Sequence, residues 1–148
     1  MSVHLTVILC TYNRCRSLPA ALQSVAAQQL PDALEWEILV VDNNSTDQTS
    51  DVVSEFAQRN PPGRIRYLFE PRQGLSNARN AAIREARGEV IAFMDDDVTV
   101  DPYWLQTLTV SLRAGEYTGA GGRILPPQDF QPPRWLTLGG IMDSGGVL

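Results

Sequence analysis

Apolar runs and amphipathic stretches alternate along the chain. Val3–Tyr12 (VHLTVILCTY) is rich in β-branched and apolar residues, the pattern of a buried strand. Ser17, with Pro19 just behind it, predicts a helix to about Gln29. Trp36–Asp42 (WEILVVD) predicts a second buried strand, and the turn residues that follow lead into a helix from about Gln48 to Arg59, ended by Pro61–Gly63. Arg64–Glu70 (RIRYLFE) alternates as a third strand. A helix from Ser76 or Asn77 to about Arg87 has Gly88 as its stop. Glu89–Met94 (EVIAFM) is a fourth strand, Asp101-Pro102 opens a helix to about Arg113, and Tyr117–Leu125 (YTGAGGRIL) is a candidate fifth strand.

This order predicts an α/β fold: a mostly parallel sheet with helices on both faces. In such sheets ligands lie beyond the carboxyl ends of the strands. Those ends are Thr11-Tyr12-Asn13, Asp42-Asn43-Asn44, Pro71-Arg72-Gln73-Gly74 and Asp95-Asp96-Asp97, all polar. Residues 126–148 are rich in Pro and Gly without a clear period, so the organised domain spans 1–125 and the tail reads as irregular.

Composition narrows the chemistry. With 148 residues, 43% hydrophobic and 20% charged, the chain holds one globular domain with a real core. A net charge of −5 argues against nucleic-acid binding through a broad basic surface. All 12 basic residues are Arg, so a complete Walker A loop and a Schiff-base lysine are excluded. The only histidine, His4, lies in the first apolar stretch, which disfavours Ser-His-Asp or Cys-His catalysis. Cys10 and Cys15 have no metal or disulfide spacing and suggest a reducing, cytoplasmic setting. The N-terminus lacks a signal-peptide pattern, and no apolar run is long enough to span a membrane.

Three adjacent carboxylates, Asp95, Asp96 and Asp97, follow an apolar run. If strand geometry persists, Asp95 and Asp97 share a side and repel each other unless a cation or proton intervenes. Mg2+ or Mn2+ fits: these ions use one or two carboxylates and complete their shell with water and phosphate oxygens. The plainer alternative is an acidic turn before a helix, which suits Asp101 better than the triplet. Asp42 could accept hydrogen bonds from a nucleobase imide or a ribose hydroxyl, or could only form an Asx turn. Tyr12 could lie against a base or be half-buried core. Arg79 and Arg72 could meet phosphate or site carboxylates, or be solvated.

The segments VILCTYNR, EILVVDNNSTDQT and GLSNARNAAIREARGEVIAFMDDDV, in this order, resemble the family 2 glycosyltransferases of Rossmann-like GT-A fold, from about Val3 to Gly122. The resemblance implies metal-dependent transfer of a sugar from a nucleotide-diphosphate sugar, with UDP as the prior, to an acceptor hydroxyl with inversion. The acidic triplet matches the D-x-D motif: Asp95 or Asp96 would contact ribose or sugar, and Asp97 would hold the ion. Thr11, Tyr12 and Asp42 match positions that frame the nucleoside, and Arg79 matches the Arg of the family's ARN segment. The acceptor, whether glycan, lipid or small molecule, is not specified. Family members usually continue into a second half with an acidic base. Here Asp143 is the candidate for that role, and residues 126–148 would begin such a half. A missing half would expose apolar surface and favour self-association; peripheral contact with a membrane is compatible with the cytoplasmic assignment. Two alternatives stand beside transfer. One is a domain that binds donor and metal without turnover. The other is a different Mg2+-dependent α/β enzyme, disfavoured because the first strand ends in CTYNR, with neither a Gly-rich loop nor a nucleophilic Asp.

Overall fold

The computed structural model describes residues 5–31, 34–113, 118–126 and 131. Its first strand, β1 (Leu5–Thr11), is buried along almost its whole length because it lies between two neighbours and beneath helices on both faces. Its odd positions Leu5, Val7 and Leu9 point into one apolar cluster, and Ile8 points into the other. The remaining strands are β2 (Trp36–Asp42), β3 (Ile65–Phe69) and β4 (Val90–Asp95). All pairings are parallel, in the order β3-β2-β1-β4.

The helices are α1 (Leu18–Ala26), α2 (Thr49–Arg59), α3 (Leu75–Glu85) and α4 (Trp104–Arg113). In α1 the buried residues are Leu18, Ala21, Leu22 and Val25, the spacing of one helical face. That face joins Val53 of α2 and Leu105 of α4 in the larger cluster on one side of the sheet. On the other side α3 presents Ala78 and Ala82 to Ile8, Leu39 and Val41. The small alanines let this helix sit close to the strands. Each fully buried Leu or Ile side chain contributes roughly 1.5–3 kcal/mol, so these two layers hold the sheet rigid beneath the site. Gln28 fixes the start of α4: its Nε2 donates to Asp101 O at 2.6 Å, and its Oε1 accepts from Leu105 N at 2.9 Å.

The opposite end of the sheet is closed by a buried carboxylate. Glu37, 1% exposed, accepts from the Thr6 hydroxyl at 3.0 Å and from Arg66 at 3.0 Å. Its charge is thereby both paired and hydrogen-bonded, as burial requires.

Two expectations are corrected. Residues 118–125 form no strand; three of the eight are glycines, which add little packing and much chain entropy to a strand. Helix α3 ends at Glu85, not Arg87, and Gly88 does not act as its cap. A Cβ on Gly88 would lie 2.5 Å from Thr6 N and 2.6 Å from Leu5 C, so glycine is needed there to let the chain pass against β1. Residues 132–148, including Trp135 and Asp143, and also His4, lie outside the described residues.

Candidate functional site

Because all four strands are parallel, their carboxyl ends share one edge. The chain moves from β1 outward to β2 and β3, then returns to the other side of β1 with β4. The reversal opens a crevice between the ends of β1 and β4, where α/β folds place ligands. Register sets Thr11 beside Asp42 and Cys10 beside Asp95.

The loops after β1 and β2 are laced together. Asn43 N donates to Thr11 O at 2.8 Å, Asn13 N to Ser45 Oγ at 2.9 Å, and Thr46 N to Asn13 Oδ1 at 2.8 Å. Asn13 (φ 51°) and Asn44 (φ 68°) take left-handed conformations that Asn tolerates better than most residues. Asp42 is 2% exposed. Its Oδ1 accepts from Ser45 N at 2.8 Å and its Oδ2 from the Tyr67 hydroxyl at 2.7 Å. Burial first, then the hydrogen bond and charge of Asp42, push the Tyr67 phenol above its usual pKa, so it remains a donor.

Asn43 organises the loop between β3 and α3. Its Nδ2 donates to Glu70 O at 3.2 Å and Arg72 O at 2.8 Å, and its Oδ1 accepts from Gly74 N at 2.7 Å. Arg72 donates from Nε to Glu70 Oε1 at 3.1 Å, and this side-chain hydrogen bond is the main reason the Glu70 pKa is lowered. The Arg72 guanidinium is therefore engaged within its own loop. Together Tyr12, Thr11, Asn43, Gln73 and Gly74 line a groove of about 240 Å³. Cys10 lies at its floor, and burial pushes its thiol up to about 11.

The acidic triplet does not continue the strand. Asp95 is the last residue of β4, and the next two residues form a turn. Each carboxylate meets a different environment. Asp95 Oδ1 lies 3.8 Å from Arg79 Nη2 of α3. The Arg79 guanidinium also lies 5.7 Å from the centre of the Phe93 ring. Asp97 Oδ2 lies 4.0 Å from Arg14 Nη2. Asp96 is half-buried, and that burial raises its pKa; Asp97 adds to the rise, while the Thr11 hydroxyl and Arg14 oppose it. The Thr11–Asp96 approach falls short of a hydrogen bond, and Thr11 Oγ1 is the one buried side-chain oxygen or nitrogen among the described residues without a partner. Two arginines thus offset part of the repulsion among three neighbouring carboxylates.

Both ion pairs are long and about half exposed, a setting in which such pairs contribute only ~0.2–1 kcal/mol. A divalent cation beside a diphosphate could displace them. Among the described residues no three His, Cys, Asp or Glu side chains converge, so no closed cage for an ion is built. Exposed Asp97 with Asp95 or Asp96 could supply the one or two hard oxygen donors that suffice for Mg2+ or Mn2+ when a diphosphate supplies others.

The structure brings Thr11, Tyr12, Asp42, Arg79 and the triplet to one edge. Sequence reasoning did not single out Arg14, Asn43 or Tyr67. Arg14 lies in the CTYNR segment, but its partner is far along the chain. Tyr67 could have been found from strand alternation only once β3 was placed beside β2.

Comparison with known proteins places this edge in context. The chain matches "Glycosyl transferase family 2" over residues 6–142. An uncharacterized glycosyltransferase of Nostoc sp. is 36% identical over 115 residues, covering 78% of this chain and 34% of that protein. S. aureus TarS, solved in complex with UDP-GlcNAc, superposes with a TM-score of 0.66 at 27% identity, over 83% of this chain and 37% of that one. The mannosyltransferase PcManGT of Pyrobaculum calidifontis, in complex with GDP-Man and Mn2+, gives 0.64 at 31% identity, over 69% and 30%. The chain spans about a third of the length of these relatives. The parallel sheet is their Rossmann-like GT-A fold, and the chain belongs to glycosyl transferase family 2.

Proposed function

We propose that the chain binds a nucleotide-diphosphate sugar at this edge and transfers the sugar to an acceptor hydroxyl with inversion, with Mg2+ or Mn2+ beside the diphosphate. One observation carries the reading: a groove of about 240 Å³ beside Tyr12, a buried carboxylate at the end of β2, and an acidic triplet countered by arginines all lie along the carboxyl edge of the sheet. Tyr12, 45% exposed, has a free ring to lay against the base. Asp42 accepts from the base edge, and Thr11 and Asn43 wall the groove. Asp97, with Asp95 or Asp96, holds the ion, which when bound neutralises charge on the departing diphosphate. Arg79 and Arg14 exchange their carboxylates for diphosphate oxygens. UDP is the first nucleotide to test, and the UDP-GlcNAc complex of TarS supports that choice. Two unpaired thiols favour a reducing, cytoplasmic setting.

Inversion places the acceptor opposite the leaving diphosphate, with an oxocarbenium-like transition state between them. The acceptor hydroxyl must then pass its proton to a base within hydrogen-bonding reach. Asp143 stays the candidate and lies outside the described residues. Among the described residues Asp101 is the only carboxylate after Asp97, and its Oδ1 caps Tyr103 N at 2.9 Å. A second reading is that this chain binds donor and ion without turnover. Calorimetry with UDP, GDP and dTDP, with and without Mn2+, tests the shared claim. At least one nucleotide should bind about tenfold or more tightly with Mn2+. Equal binding in both conditions, or none, would overturn it. Sugar release from UDP-GlcNAc then separates transfer from binding alone.

A further inference from the structure

We infer that Tyr67 is a positioning residue for nucleobase recognition: it holds Asp42 at the angle from which that carboxylate reads the base edge. The inference rests on the proposed role of Asp42. Asp42 is 2% exposed, so its orientation is set by protein partners and not by water. Those partners are Ser45 N on Oδ1 at 2.8 Å and the Tyr67 hydroxyl on Oδ2 at 2.7 Å. Register places Tyr67 opposite Val40, two residues before Asp42 on the neighbouring strand. Residues two apart share a face, so the phenol reaches diagonally to the strand end.

A carboxylate has about four acceptor directions, and the two protein donors use two. One lone pair on each oxygen therefore has no protein donor, and the proposed role requires the base edge to reach one of them. The fixed carboxylate suits a base whose edge presents an N–H. Uracil N3 does so, whereas cytosine N3 is an acceptor and would face the oxygen with like charge. Uracil and cytosine differ at N3 and at position 4, so the part of the UDP-to-CDP preference that Asp42→Asn removes reports how Asp42 faces that edge of the base. Without the phenol hydroxyl, Oδ2 loses its donor and the carboxylate can rotate about χ2. Ser45 N alone then guides it.

Four proteins decide the matter by calorimetry with UDP and CDP in Mn2+: the unaltered chain, Tyr67→Phe, Asp42→Asn and the double variant. Tyr67→Phe should weaken UDP about tenfold and lower the UDP-to-CDP ratio, the scale of one hydrogen bond to a charged group. In the Asp42→Asn background it should add nothing. A ratio unchanged by Tyr67→Phe overturns the inference, as does an equal loss in the Asp42→Asn background, which would mean that Tyr67 touches the nucleotide directly. Failure of the underlying reading looks different: Asp42→Asn leaves the ratio unchanged, or the unaltered chain binds neither nucleotide. If Tyr67→Phe does not fold, tyrosine carrying a 13Cζ label in the otherwise unaltered chain serves instead. The Tyr67 signal should move on adding UDP and stay still in Asp42→Asn; a signal indifferent to saturating UDP overturns the inference.

Discussion

Asp47 joins two loops with one carboxylate. Its Oδ2 accepts from Cys15 N at 3.0 Å and its Oδ1 from Thr49 N at 3.0 Å and the Thr49 hydroxyl. The Thr49 hydroxyl is the largest cause of a pKa lowered from the ordinary 3.8 to about 2. Because the folded value lies below the unfolded one, this bridge contributes fully above about pH 3.8 and is lost as pH falls through about 2. An NMR titration should show the Cys15 and Thr49 amides shifting together with a midpoint near 2; a midpoint at 3.8 would mean that the bridge is absent. Individual residues were unevenly legible. Thr11, Tyr12, Asp42 and the triplet were legible as residues of the shared strand edge because the alternation of strands and helices predicts parallel strands whose carboxyl ends lie together. Asp47, Arg14 and Tyr67 did not, since each acts on a residue from another strand–helix unit. The triplet was half understood: its charge demanded relief, but the sequence did not reveal that two arginines supply part of it.

Elements were legible where burial on both faces produced continuous apolar runs: β1, β2 and β3 lie within their expected segments, and β4 runs one residue past its own, to Asp95. Residues 118–125 form no strand because three glycines among the eight outweigh the β propensity of Ile124 and Leu125. Gly88 resembles a local helix stop in the sequence, yet its reason is long-range: β1 passes where a side chain would stand. Gly88→Ala should therefore destabilise the fold by about 1–3 kcal/mol, the scale of overpacking, because backbone atoms of Leu5 and Thr6 have nowhere to move. Urea unfolding reads this directly. A midpoint equal to that of the unaltered chain would show that the loop yields freely and that the close approach carries no cost.

At the scale of the whole molecule, parallel pairing gives the sheet two unlike ends. One end buries Glu37 against Thr6 and Arg66, with every partner supplied by protein. The other leaves Thr11 Oγ1 unpartnered, a groove open beside Tyr12, and carboxylates held by weak pairs. The first end is closed by protein partners; the second is the end at which the proposed nucleotide would bind. Strand alternation forecast which residues would reach this edge, but not that β4 returns beside β1. That placement sets Asp95 next to Cys10 and brings the triplet to the same edge as the other polar strand ends. The account stands or falls on Asp97 joining an ion to a nucleotide diphosphate. The direct measurement is calorimetric binding of UDP by Asp97→Asn, with and without Mn2+, after far-UV circular dichroism has shown the variant folded. The account predicts that Mn2+ no longer tightens UDP binding, a loss of about tenfold or more, while binding without the ion persists. Enhancement by Mn2+ equal to that of the unaltered chain would contradict it.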